Sequence, residues 1–380
     1  MHSSEMCAII QKPTCGYGGK WNTAMLKSIH IQNFRGIRDL TIGDFSAVNV
    51  FVGTNGSGKT SVLEAIGTFL RPKEPWFLSM LSFWRRMESA TEKSPLPLRA
   101  IFCDLRVVNP DPMQLEGRLD GVDDVLTIEP ITALPTVGQT HENLAMNVLQ
   151  LPPFERSLAG VRFRYRHGQE PEVRTDSLLR EDGMGADAIW RGLEQLRCFY
   201  VPAQAVLGAE LLGRFILSVN KRKTEAQLTE FVQVVEPRVR DLRAGGIEGE
   251  TVVLADVGAT ERLPVQLLGD GFMRVCSMAA GIFDGNYREI VIDEIENGLH
   301  FSVMPQFWSA LGALCRKSSR QLFCSTHSEE MLHYAVAAFT GHPDELKVFR
   351  IDRGNDGTTT ATAYRHEELQ LSDEIHVEVR

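Results

Sequence analysis

The sequence predicts an α/β fold with a mainly parallel central sheet. Three observations predict it. From residue 196 onward, strand-like and helix-like segments alternate, which calls for parallel strands joined by crossover helices. A glycine-rich stretch, "GTNGSGKT" (Gly53–Thr60), stands between a buried strand and a helical segment. An apolar run, "EIVIDE" (Glu289–Glu294), ends on adjacent carboxylates.

The elements follow in chain order. Residues 1–24 carry Gly and Pro without a clear period and read as a flexible tail, with Met25 as the natural domain start. "LKSIHIQNF" alternates apolar and polar residues, as a half-buried strand does. "AVNVFVG" reads as a buried strand. "KTSVLEAIGTFL" has helical spacing at Val62, Leu63, Ile66, Phe69 and Leu70. Residues 71–195 are Pro-rich, with isolated strand signals at Leu98–Val108 and Val161–Arg166. They read as an irregular, mixed insertion that divides a head domain into 25–70 and 196–380. "RCFYVP" reads as a strand, followed by helices over Glu210–Val219 and Thr224–Leu242. Then come "ETVVLADV" (strand), "GFMRVCSMAAGIF" (helix), "EIVIDE" (strand), "VMPQFWSALGALCRK" (helix), "QLFCST" (strand), "SEEMLHYAVAAF" (helix) and "LKVFRI" (strand).

Bulk properties exclude several classes. A net charge of −9 argues against a uniformly basic nucleic-acid binder, though not against a local basic face. The seven cysteines are scattered without a C-x-x-C, several in apolar runs, as buried free thiols in a reducing cytosol would be. No apolar run reaches 18 residues and the N-terminus lacks an apolar signal core, so a cytoplasmic protein without a membrane span is expected.

"GTNGSGKT" fits G-x-x-x-x-G-K-[ST] in the strand-then-helix setting that a phosphate-binding P-loop requires. Glycines let backbone N–H groups turn toward phosphate oxygens, and the helix N-terminus favours the anion. Asn55, Gly56, Ser57, Gly58, Lys59, Thr60 and Ser61 are therefore expected to bind the triphosphate of ATP. Lys59 reaches the β- and γ-phosphates, and Thr60 offers its hydroxyl to Mg²⁺. A P-loop also needs a strand that ends in carboxylate near the metal. "IVIDE" supplies it. Asp293 positions Mg²⁺ with Thr60, and Glu294 faces both the metal site and the attacking water as general base. Mg²⁺ offsets the repulsion between the two acids. Glu296 reads as a structural or loop carboxylate. "LFCSTHS" is a third buried strand, and His327 at its C-terminal edge can hydrogen-bond the γ-phosphate and the water. In "LLGDGFMRV", Gly269, Asp270 and Gly271 open a helix. The turn reads either as a helix cap or as a second anion-binding turn that completes a site on another protomer.

Together these elements resemble the ABC-type ATPase heads of the RecF/SMC/OLD group, and most of all the stand-alone OLD-like AAA ATPases. "LKSIHIQNFRGIRDLTIGDFSAVNVFVGTNGSGKTSVLEAI" looks like that group's opening. "LLGDGFMRV" resembles its signature, "IVIDEIENGLHFSV" its Walker B strand with D-loop, and "QLFCSTHS" its His-switch strand. The resemblance covers roughly 25–70 and 196–352. It implies a P-loop NTPase of the ABC-type head class, with an antiparallel N-terminal β-subdomain beside the parallel sheet. It implies that Lys59, Glu294 and His327 are catalytic and that Gly269, Asp270, Gly271 and Arg274 touch the γ-phosphate of a facing protomer. Asn297–His300 would form the D-loop, Phe34 and Arg35 would lie near the adenine, and Gln204 would mark the Q-loop. It further implies an ATP-dependent homodimer or higher homo-oligomer, and a separately encoded effector such as a nuclease, often in phage defence.

The departures matter too. An LSGGQ-like signature and an SALD-like D-loop, both expected of a transporter ATPase, are absent from the sequence. The insertion is far shorter than an SMC coiled coil, and about 50 residues follow His327, too few for an added Toprim nuclease domain. A transporter subunit, a nucleotide-dependent binding switch with little turnover, and a small-molecule kinase stand as alternatives. Three basic clusters, "FWRRM", "VRFRYRHG" and "NKRKT", suit nucleic-acid phosphates or, equally, a solvated or partner-facing surface.

Overall fold

The computed structural model describes residues 25–369, apart from 76, 85–98, 108–109, 134–156, 181–182, 185–197, 205–208, 248–249 and 286. The tail 1–24 and most of the "FWRRM" cluster lie outside the described residues.

The chain runs β1 (Leu26–Phe34), β2 (Ile37–Ile42), β3 (Val48–Val52), α1 (Lys59–Phe69), α2 (Phe77–Trp84), β4 (Met113–Leu119), β5 (Val122–Ala133), β6 (Ser157–His167), β7 (Val173–Arg180) and β8 (Gly183–Met184). It continues with β9 (Cys198–Val201), α3 (Ala209–Arg222), α4 (Glu225–Gln233), β10 (Asp241–Ile247), β11 (Glu250–Asp256), β12 (Leu263–Pro264) and α5 (Asp270–Asp284). Last come β13 (Glu289–Ile292), α6 (Met304–Ser318), β14 (Gln321–Ser325), α7 (Glu329–Ala338), β15 (Leu346–Arg353) and β16 (Thr359–Tyr364).

The central sheet has the order β16-β15-β3-β14-β13-β9, and only β16 is antiparallel to its neighbour. Its inner strands are apolar on both sides because both faces are covered. Val48, Val50 and Val52 of β3 pack with Val275 and Ala279 of α5 and with Phe307 and Trp308 of α6. Phe51 points the other way, to Ile66 and Phe69 of α1 and to Ile29 and Ile31 of β1. This is a P-loop NTPase with an ATPase-head fold. Sequential β3-β14-β13 order places the ends of three strands side by side, although β3 precedes β13 by more than two hundred residues.

The second sheet is antiparallel, in the order β2-β1-β4-β5-β6-β7-β8. The segment 71–195, expected as an irregular insertion, instead gives much of its length to this sheet. β4 pairs with β1, and β5, β6 and β7 follow in register. The signal was present in the sequence. Met113, Leu115 and Leu119 alternate inward, and Asp120 and Gly121 (φ 59° and 79°) make a two-residue turn that pairs Leu119 with Val122.

Two further expectations give way. Leu98–Val108 forms no strand over its described residues. Asp104 and Leu105 adopt φ 54° and 58° in a tight turn, and only one bridge, Phe34 to Phe102, remains. The helix expected over Thr224–Leu242 stops at Gln233. Pro237 interrupts the pattern, and Asp241–Ile247 pairs with β11 instead. Val161–Arg166 is a strand, within β6.

The five described cysteines are free, and all but Cys103 are buried. Burial pushes the Cys198 and Cys315 thiols up to about 12, so neither is a nucleophile at neutral pH. Among the described residues no helix is long and apolar enough to cross a membrane.

Candidate active site

The P-loop follows β3. Gly53, at φ 136°, passes so close to β15 that a Cβ would stand 2.3 Å from the Ile351 carbonyl oxygen, which only glycine avoids. Gly58 (φ 114°) turns the chain into α1. The Lys59 ammonium curls over the loop, donating to the carbonyls of Gly53 (2.7 Å) and Thr54 (3.0 Å). Burial pushes it down, while Asp293, Glu294 and Glu296 pull it back up. The Ser57 hydroxyl is buried in the loop without a hydrogen-bond partner among the described residues. A phosphate oxygen would satisfy it.

The acidic strand end meets this loop. Asp293 follows β13 and is 3% exposed. Its Oδ1 accepts hydrogen bonds from Ser325 Oγ (2.6 Å) and from Thr60 Oγ1 (3.3 Å). Burial pushes the carboxyl up, and those two donors offset only part of the effect. A buried carboxylate beside a helix-N-terminal hydroxyl fits Mg²⁺, which takes few protein ligands and completes its shell with phosphate and water. When bound, the ion would neutralise phosphate charge. Thr60 and Asp293 would hold it.

Glu294 takes φ 49°, a conformation rare for this residue type, and its backbone N–H donates to Ser325 Oγ at 2.8 Å. Its carboxylate is held at both oxygens. Asn297 Nδ2 donates to Oε2 at 2.6 Å, and His327 Nε2 lies 3.5 Å from Oε1. The His327 backbone N–H donates to Glu296 Oε1 at 2.6 Å. Glu296 thus anchors the loop that carries the histidine. Glu294 and His327 line a cleft of about 720 Å³ together with Asn55–Ser61. Gln204 lies beside it, in a 260 Å³ recess with Thr60, Asp293 and Glu294.

Other expected residues are placed differently. Phe34 is fully buried in the core and does not line the cleft, because an aromatic ring on the inward face of β1 gains more by packing. Arg35 lines it, yet its guanidinium is buried against the Glu64 carboxylate and donates to Ala100 O at 3.3 Å. Arg274 departs most. It was expected to touch a facing γ-phosphate, but its guanidinium turns inward and donates to four carbonyls of its own chain. These are Pro202 (2.7 Å), Ala203 (3.1 Å), Asp293 (2.5 Å) and Glu294 (3.0 Å). It binds the ends of β9 and β13 together and places a positive charge under the carboxylates. Burial lowers its pKa, and Asp293, Glu294 and Glu296 oppose that.

Gly269 and Asp270 are exposed at the start of α5. Gly271 packs backbone to backbone on the 297–300 loop. A Cβ there would stand 2.1 Å from Gly298 O. Reasoning from sequence missed Ser325 and the two bonds of Asn297, to Glu294 and to Ala203 O (3.0 Å). The spacing of Asn297, three residues after Glu294, was the available signal.

The basic strand is partly neutralised. Arg162, Arg164 and Arg166 do share one face of β6. Arg162 pairs with Asp176 (2.9 Å) and Arg164 with Glu129 (2.8 Å). Two of the three are therefore engaged with carboxylates.

Fold and site define a P-loop ATPase, an enzyme that hydrolyses ATP. Comparison with known proteins agrees. A family model described as "AAA ATPase domain" matches residues 25–129, and one described as "AAA domain, putative AbiEii toxin, Type IV TA system" matches residues 153–332. An ATP/GTP phosphatase of Helicobacter pylori is 21% identical over 326 residues, covering 81% of this chain and 86% of that protein. An uncharacterized protein of Methanocaldococcus jannaschii is 44% identical over 54 residues, 14% of this chain and a quarter (25%) of that one. Among solved structures, an SMC head domain from Thermotoga maritima aligns at TM-score 0.39 with 16% identity, over 90% of this chain and 99% of that one. An Smc head bound to the C-terminal domain of ScpA, derived from Pyrococcus furiosus, aligns at 0.47 with 12% identity, over 93% and 100%. Both likenesses are distant; the sheet order and the P-loop define the fold.

Proposed function

We propose that this ATPase is an OLD-like nucleotide switch. Two copies close head to tail around ATP, and hydrolysis reopens them to control a separately encoded effector, in the manner of a defence system. The carrying observation is a chain of contacts from the surface to the general base. Gly271, in the signature turn, rests on Gly298 of the D-loop. Its neighbour Asn297 holds Glu294. Exposed apolar side chains flank this contact, Leu267 at 70% and Phe301 at 61%. A second copy that covered them would press on the same loop that orients the base. In this reading Asp293 and Thr60 hold Mg²⁺, Lys59 neutralises the β- and γ-phosphates, and Glu294 takes the proton of the attacking water. His327 senses the γ-phosphate from beside Glu294, and Gln204 links the recess at Asp293 to the D-loop through Ala203. Arg162 and Arg164 of the basic strand are already paired with carboxylates, so nucleic-acid phosphates would have to displace those partners.

The test is molar mass in solution. Glu294→Gln keeps shape and hydrogen bonding but cannot accept the proton. With ATP and Mg²⁺ it should accumulate as a dimer or higher oligomer by light scattering, and revert when nucleotide is removed. Adding Leu267→Asp and Phe301→Asp should return it to monomer while ATP still binds. A Glu294→Gln protein that binds ATP yet keeps the same mass with and without nucleotide would refute the switch.

A further inference from the structure

We propose that Arg353 is a nucleotide-binding residue that contacts the α-phosphate end of bound ATP. The proposal rests on the ATPase reading of the cleft and adds a contact that the P-loop and the acidic strand do not supply.

Topology sets the side of approach. β15 lies next to β3 on one flank, while β14 and β13 lie on the other. Glu294 and His327 follow β13 and β14, so the hydrolytic end of the nucleotide belongs on that flank. Arg353 ends β15 and lines the same cleft as Gly56–Thr60, from the opposite flank. The β15–β16 hairpin presses on the loop there. A Cβ at Gly53 would meet Ile351 O at 2.3 Å, and one at Gly58 would meet Thr359 Cγ2 at 3.9 Å. The wall that carries Arg353 is thus in contact with the stretch of loop that receives the inner phosphates.

The guanidinium reaches across to the first sheet. Its two terminal nitrogens lie 3.2 and 3.4 Å from where a Cβ on Gly36 would stand. The glycine of "NFRGI" has no need of a positive φ. What it provides is room for this side chain.

Arg353 is exposed, and its side chain makes no ion pair or hydrogen bond among the described residues. The acids nearest in sequence and in the cleft wall have other partners: Asp352 binds Arg350 (2.9 Å) and Asp104 binds Arg38 (3.4 Å). An arginine without a carboxylate partner, held at the edge of a phosphate cleft, has its full set of donors available to a phosphate oxygen.

The experiment is calorimetric titration of ATP and ADP into full-length wild type, Arg353→Gln, Arg353→Lys and Lys59→Ala, with steady-state hydrolysis alongside. Arg353→Gln should weaken ATP and ADP by the same factor, roughly tenfold, as loss of one charge-assisted hydrogen bond does. The loss should fall on KM more than on kcat, and Arg353→Lys should recover part of it. Because Arg353 is exposed, thermal stability should match wild type, which separates binding from folding. Unchanged ATP and ADP affinity in Arg353→Gln would overturn the proposal. So would a loss confined to ATP, which would place the contact at the γ-phosphate, or a loss shared by ATP and ADP but absent for GTP and GDP titrated in parallel, which would place it at the base. Intact ATP binding in Lys59→Ala would instead refute the P-loop reading itself, so the two failures are distinguishable.

Discussion

Replacing Gly271 with Ala should slow hydrolysis without weakening ATP binding to the P-loop of the same chain. The new Cβ would stand 2.1 Å from Gly298 O, and a Cβ contact under 3.0 Å is essentially never seen. Gly298 O is backbone and the new Cβ is fixed to the helix, so the 297–300 loop or the start of α5 must move by about 0.9 Å. Two opposite effects then compete. Gly to Ala near a helix start favours the helix by up to about 1 kcal/mol. Overpacking backbone against backbone costs about 1–3 kcal/mol. The clash should win, and thermal stability should fall modestly. The larger effect is on the base. Asn297 precedes Gly298 and holds Glu294 Oε2 at 2.6 Å, so a shift of that size breaks the bond or drags the carboxylate. Misplacement of a reacting group by about 1 Å costs on the order of a hundredfold, equivalent to about 2.7 kcal/mol of activation free energy. The assay is phosphate release at saturating ATP, with ATP affinity measured separately and expected within a fewfold of wild type. Asn297→Ala removes the same bond without the clash and should lower kcat in the same direction. The double variant should be no slower than Gly271→Ala alone, because the two changes act through one contact. A Gly271→Ala enzyme with kcat within about threefold of wild type would refute the coupling of signature turn to base.

Two further outcomes test the site. Lys59→Ala should abolish hydrolysis and weaken ATP binding, because no other described ammonium lines the phosphate cleft; wild-type turnover in phosphate release would exclude the P-loop as the site. Asp293→Asn should raise the thermal stability of the nucleotide-free protein near neutral pH while abolishing Mg²⁺-dependent hydrolysis. The sign follows from burial. The folded-state pKa of Asp293 is raised, so the unfolded chain ionises first as pH rises, and the charged carboxylate costs stability above the ordinary carboxylate range. The stability gain of Asp293→Asn should therefore vanish as pH falls into that range, as a pH series of thermal melts would show.

Local sequence determined the parts of this protein whose chemistry depends on consecutive residues. A P-loop is one turn, so glycines, Lys59 and Thr60 are legible as a unit. Asp293 and Glu294 are legible because two acids ending an apolar run require a nearby cation. The parallel sheet was legible because strands covered on both faces read as unbroken apolar runs, as Val48–Val52 does. Tertiary structure decided the rest, because those features depend on partners distant in the chain. Ser325 joins the site only because β14 lies between β3 and β13. Arg274 stands on a helix whose pattern permits either an outward or an inward guanidinium. Four carbonyls at the ends of β9 and β13 draw it inward, since a buried cation must be compensated by acceptors. Phe34 reads equally well as a ring beside a base or as core until the second sheet closes over α1. The strands of 113–180 alternate correctly, but pairing with β1 is a contact across about ninety residues, and no local pattern names its partner. Gly36 and Arg353 are separated by almost the whole chain, and only the closing of one sheet on the other brings that glycine and that cation together.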